Sequence, residues 1–163
     1  MELEIVQVEL PAETNVILGM SHFIKTVEDI YELVISSSPN VKFGLAFCEA
    51  SGPCLIRAAG NSDDLKQRAI DTAQNIGAGH SFIIFVKNAF PINLTHALKC
   101  CFEVLTIYCA TANPLQIIVA ETEQGRGIMG VIDGFSPKGV ETEEDVRSRM
   151  KFLRDIGYKT KGD

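Results

Sequence analysis

A chain of 163 residues with 46% hydrophobic and 22% charged side chains is long enough to bury one substantial core, so a single domain over residues 1–163 is expected. Its net charge of −6 argues against a nucleic-acid partner, whose phosphates demand a basic surface. No apolar run reaches the roughly 20 residues that cross a bilayer, and the acidic start Met1-Glu2-Leu3-Glu4 lacks the basic region of a signal peptide, which points to a cytoplasmic protein without a membrane partner.

Leu3 to Leu10 alternates as an opening strand, broken by Pro11-Ala12-Glu13-Thr14, and Asn15 to Gly19 reads as a second. The period then changes. Val27, Ile30, Tyr31 and Val34 recur at helical spacing behind a Thr26-x-x-Asp29 capping box, which predicts a helix to about Ser37. Lys42 to Ala50 and Cys54 to Ala59 are apolar runs joined by Ser51-Gly52-Pro53, the pattern of a hairpin. A helix capped by Asn61 or Ser62 follows, with Leu65, Ala69, Ala73 and Ile76 on one face and Gly77 as its terminator. Ser81 to Val86 is a continuous apolar strand.

Asn93 is placed to cap a short helix bearing Leu94, Ala97, Leu98 and Cys101. Val104 to Ala110, Leu115 to Ala120 and Ile128 to Ile132 supply three more strands. The last helix starts at Thr142-x-x-Asp145, carries a Val146, Met150, Leu153 stripe and stops at Gly157; Gly134 to Glu141 is the longest loop. The expected fold is α/β with an α+β tendency: a mixed or mainly antiparallel sheet covered by helices. Five cysteines scattered through apolar segments suit reduced thiols better than a disulfide framework, and the vicinal Cys100-Cys101 has no accompanying C-x-x-C motif.

Gly125-Arg126-Gly127-Ile128-Met129-Gly130 matches G-x-G-x-x-G, yet a dinucleotide fingerprint must open a helix and this one runs into a strand. Two readings stay open: a glycine hairpin that cradles an anion with Arg126, or a tight turn with a solvated arginine. Asp133 before Gly134 is a candidate Mg²⁺ or sugar ligand, or part of an Asp-Gly turn. Thr111 and Asn113 are candidate contacts to a base or phosphate, or turn residues before Pro114.

Histidine is the side chain best suited to attack or shuttle protons near neutral pH. His80, in Gly77-Ala78-Gly79-His80-Ser81, sits between a helix end and a buried strand, and His22 lies before a helix N-terminus with Lys25 nearby. His96 lies within a helix, where packing or solvent exposure is the plainer role. Glu49 and Arg57 face each other across the hairpin, either as a salt bridge or as a base or ribose ligand with a phosphate clamp.

The segments Ser21-His22-Phe23-Ile24-Lys25-Thr26-Val27-Glu28-Asp29, Phe47-Cys48-Glu49-Ala50-Ser51-Gly52, Gly77-Ala78-Gly79-His80, Phe90-Pro91-Ile92-Asn93, Cys109-Ala110-Thr111-Ala112-Asn113-Pro114 and Glu121-Thr122-Glu123-Gln124-Gly125-Arg126-Gly127, in this order, resemble the adenosine-specific kinase family. The resemblance covers nearly the whole chain. It implies an α/β domain that binds adenosine or AMP, can carry phosphate on a histidine and forms homo-oligomers. On that basis the expectation is a phosphotransferase using ATP or another donor, with adenosine as acceptor. His80 is the expected phosphate carrier, with His22 as its competitor. Phe23, Phe47, Phe82 and Asn113 would hold the nucleoside, Arg126, Lys25 and the Gly125 to Gly127 turn the phosphate, and Asp133 Mg²⁺. The alternative is a non-catalytic adenosine or AMP sensor.

Overall fold

A computed structural model of the chain describes residues 1–161. Three stretches, β2 (Asn15–Ser21), β3 (Lys42–Cys48) and β5 (Ser81–Lys87), are almost wholly buried, the pattern of strands covered on both faces. With β4 (Ile56–Gly60) and β6 (Val104–Thr111) they form a five-stranded sheet in the order β4-β3-β5-β2-β6, every neighbouring pair antiparallel. A second sheet, also antiparallel, has the order β1-β7-β8, from Glu2–Val8, Leu115–Glu121 and Arg126–Asp133.

Residues pointing to opposite sides of the large sheet enter two cores. On one side Ile17, Phe43, Leu45, Phe82 and Ile84 pack with Ile30 and Val34 of α1 (Thr26–Ser37) and Leu94 and Leu98 of α3 (Pro91–Cys100). On the other, Leu18, Ala46, Ile83 and Phe85 meet Leu65, Ala69 and Ala73 of α2 (Asp63–Ile76) and Val6, Val8, Ile117 and Val119 from the inner face of the small sheet. Gly44 lets α2 cross close over β3: a Cβ there would lie 2.1 Å from the backbone nitrogen of Lys66.

The α+β class agrees with expectation, while the single sheet divides into two and no parallel ladder joins the named strands. Two caps differ. Asp29 does not close a capping box on Thr26, because its carboxylate takes the Lys25 ammonium at 2.7 Å and Thr26 Oγ1 donates back to the carbonyl of Phe23. Asn93 lies in the first turn of α3, where its side chain accepts from the Phe90 N–H. Gly77 does end α2 in the left-handed region, with φ 61°. Cys48 and Cys109 are buried free thiols, as expected of core cysteines, whereas Cys54 and Cys100 are exposed.

The last helix, α4 (Glu143–Asp155), has its Thr142–Asp145 capping box but buries no residue. Among the described residues no helix is long and apolar enough to cross a membrane.

Candidate active site

In an antiparallel sheet neighbouring strands alternate direction, so one edge gathers the ends of β2 and β3 and the starts of β4, β5 and β6. That edge collects Ser21-His22, Phe47 to Glu49, Arg57, His80 and Glu103. Backbone bonds lock these pieces together. The His80 N–H donates to the Cys48 carbonyl at 2.7 Å, the Ser21 N–H donates to the His80 carbonyl at 2.9 Å, and the His22 N–H donates to the Glu103 carbonyl at 2.9 Å. Both candidate histidines therefore stand on adjacent strand ends.

His80 occupies the left-handed region at φ 63°. Its ring, one-third exposed, stacks on buried Phe47, with centroids 5.9 Å apart and planes at 11°. Its Nε2 lies 3.8 Å from Glu49 Oε1, too far for a hydrogen bond. Glu49 also pairs with Arg57 Nη2 at 3.0 Å and accepts from the Ala50 N–H and the Ser51 hydroxyl. Partial burial pushes its carboxyl upward, but these donors outweigh burial and leave it below the usual carboxylate range.

Beside this carboxylate opens a groove of about 760 Å³. Its walls are Glu49 and Ala50, the Gly77 and Gly79 turn, and the Gly125 to Gly127 hairpin facing them. The hairpin reaches this place because Ala78 forms a bridge with Arg126. Three segments far apart in sequence thus share one cavity: the β3 end, the α2–β5 turn and the β7–β8 hairpin. The G-x-G-x-x-G stretch is strand, as its context requires.

Lys25, Arg57 and Arg126 are each paired with carboxylates, although Arg126 Nε, buried, has no hydrogen-bond partner. Arg126 pairs with Glu4 and lies 3.7 Å from Glu121. Arg57 binds Glu49 and donates to the Ile24 carbonyl. Lys25 pairs with Asp29 at 2.7 Å and Glu103 at 2.6 Å. Glu103, only 3% exposed, also accepts from the Cys101 thiol at 3.0 Å, and the thiol and Lys25 together hold its carboxyl down at about 2 against the effect of burial. Sequence reasoning missed Glu103: no motif surrounds it, and its partner Lys25 is remote in the chain.

Of the aromatic candidates, Phe47 and Phe82 are fully buried, so neither ring offers a free face; Phe23, 57% exposed, does. Thr111, Asn113 and Asp133 lie at the opposite end of β6, roughly 25 Å from Glu103 at strand rise. There Asp133 Oδ1 accepts from Thr111 Oγ1 at 2.7 Å and Asn113 Nδ2 at 3.1 Å, a brace for the β6–β7 turn and the end of β8. Within one chain they do not meet His80. Among the described residues no group of three or more His, Cys, Asp or Glu side chains is arranged to hold a metal.

Comparison with known proteins gives a consistent result. The family model described as Adenosine specific kinase matches residues 6–159. Among solved structures, the crystal structure of the PH1918 protein from Pyrococcus horikoshii OT3 is 42% identical, with a TM-score of 0.94 over 97% of this chain and 98% of that one. A search of curated proteins finds no match. With the family model spanning all but the ends of the sequence, and with its fold shared by a solved structure at high identity, the chain belongs to the adenosine-specific kinase family.

Proposed function

We propose that the chain is an adenosine phosphotransferase in which His80 carries the phosphoryl group from donor to nucleoside. Family membership supports an adenosine-related kinase function. The observation that carries the finer reading is the His80 ring, stacked on Phe47 and 3.8 Å from Glu49, a carboxylate that itself lines the 760 Å³ groove.

In the tautomer with its proton on Nε2, the nitrogen nearer Glu49, His80 has its Nδ1 lone pair free. That lone pair attacks the terminal phosphorus of ATP or a similar donor. An N–P bond forms, the P–O bond breaks, and ADP leaves with the electron pair. The adenosine 5′-hydroxyl then attacks phosphorus, the N–P bond breaks, its electrons return to Nδ1, and AMP departs. The hydroxyl proton passes to water, since a carboxyl held low by its donors is a poor proton store.

Phosphoryl transfer depends mainly on positioning and charge neutralisation. Because Lys25, Arg57 and Arg126 are each committed to carboxylates, the donor's phosphates would bring Mg²⁺ with them, held largely by phosphate and water. The same pairing suits the groove to an uncharged nucleoside, with Glu49 available to a ribose hydroxyl.

Incubation of the purified protein with labelled ATP and adenosine tests the proposal. Labelled AMP is expected from the native chain and from His22→Asn, but not from His80→Asn. Unchanged turnover in His80→Asn would remove His80 from the chemistry. Adenosine or AMP binding without AMP formation would instead identify a sensor.

A further inference from the structure

Adenosine carries a base that neither His80 nor Glu49 identifies. The rings that could stack on it are out of reach: Phe47 and Phe82 are buried, and among the described residues no aromatic side chain lines the groove. Asn113 is bonded to Asp133 beyond the far end of β6. Stacking is also a poor discriminator, because every base has a π-face. Telling adenosine from inosine or guanosine requires contact with the edge of the ring.

The groove holds two side chains suited to that contact. The chain has five glutamines. Gln7 and Gln116 bond to each other, and Gln67 bonds to Asp71. Gln74 and Gln124 make no side-chain hydrogen bond among the described residues, and both line the 760 Å³ groove. Gln74 projects from the last turn of α2, and Gln124 from the tip of the β7–β8 hairpin, where Thr122 and Gly125 exchange backbone bonds. These walls meet at Gly77, where a Cβ would lie 3.1 Å from Arg126 Cδ and 3.6 Å from the Gln74 carbonyl oxygen. Glu49, Thr122 and Arg126, by contrast, already bond within the chain.

A carboxamide sets one acceptor beside one pair of donors. Adenine presents the complement twice, because its N6 amino group donates beside the N7 acceptor on one edge and beside the N1 acceptor on the other. The two edges differ in what they reject. On the N1 edge a flipped carboxamide satisfies hypoxanthine as well, since O6 accepts there and N1–H donates. On the N7 edge hypoxanthine and guanine offer two acceptors, so the glutamine oxygen faces a lone pair in either orientation. The fork that suits such an edge is an arginine, and the arginines here are turned onto carboxylates.

We infer that Gln74 and Gln124 form the adenine-reading end of the groove, with Gln74 on N6 and N7 and Gln124 on N6 and N1. The discriminating edge falls to Gln74 because a helix holds a side chain more firmly than a hairpin tip does. The inference rests on adenosine being the nucleoside bound, and not on the phosphotransfer step.

Calorimetric titration of the full chain with adenosine, inosine and 7-deazaadenosine, without ATP, tests it. The native protein should bind adenosine about 10- to 100-fold tighter than inosine, the worth of one bidentate contact, and about tenfold tighter than 7-deazaadenosine. Gln74→Leu should bind all three alike. Gln124→Leu should weaken adenosine and inosine together and keep their ratio. Both residues are exposed, so circular dichroism should show an unchanged fold. Equal native affinity for adenosine and inosine, a Gln74→Leu chain that retains the native preference, or a Gln124→Leu chain that loses it would overturn the inference. Absent turnover with the preference intact would remove the kinase step alone, whereas a chain that binds no nucleoside would remove both proposals.

Discussion

The two ends of β6 carry similar polar side chains and use them differently. At the far end Thr111, Asn113 and Asp133 bond to one another, and their donors converge on one carboxylate oxygen. At the near end Glu103 and Lys25 are likewise paired, but beside them His80 keeps one-third of its side chain exposed, 3.8 Å from a Glu49 that lines a groove. Polarity at a strand end is therefore a poor guide to chemistry. What distinguishes the two is a side chain with spare capacity next to space.

The sharpest way to break this comparison is catalytic. His80→Asn should lower AMP formation by at least about 10⁴-fold, the scale on which loss of a nucleophile is felt, while Asp133→Asn should stay within about twofold. Loss of adenosine binding in Asp133→Asn would mean that the far end of a second chain enters the site. The next effect is on packing at the near end. Phe82 is 1% exposed and lies against Gly19, so Phe82→Ala should cost about 4 kcal/mol in urea unfolding, far more than any single change among the exposed far-end residues.

A pH series sharpens the contrast further. The Glu103 carboxyl is depressed from 4.5 to about 2, so between those values the folded state binds fewer protons than the unfolded state. Its contribution is complete above pH 4.5 and should fade as pH drops towards 2. A loss of about 2 kcal/mol over that interval, absent in Glu103→Gln, is expected from urea melts, in line with a hydrogen bond to a charged group. The smallest effect belongs to the far end. Asp133→Asn should cost about 1 kcal/mol, because the amide oxygen still accepts from Thr111 and only the charge is lost.

Much of this fold is legible in the sequence because it is local. The apolar runs of β2, β3 and β5, the Thr142 capping box and the left-handed Gly77 are written in neighbouring residues. The misread caps show where locality ends: Thr26-x-x-Asp29 has the right letters, but Lys25 competes for the carboxylate. Glu103 was invisible for the same reason, since its environment is built by Lys25 and by the turn after α3. The groove is legible only in part, because the glycines around His80 and Arg126 mark backbone close to a cavity but do not say that the two turns meet. The stripe on α4 illustrates a different limit, for a helical repeat tells which face is apolar and not whether anything covers it.

His80 holds a conformation that glycine adopts freely and a histidine adopts at a cost, with its N–H and carbonyl both tied to flanking strands. His80→Gly should therefore keep the backbone and relieve that strain while discarding the imidazole. Such a variant would fold at least as firmly as the native chain apart from the lost stacking on Phe47, and would transfer nothing. The residue would then be a point where durability and activity pull in opposite directions, maintained for what its ring does and not for what it adds to the fold.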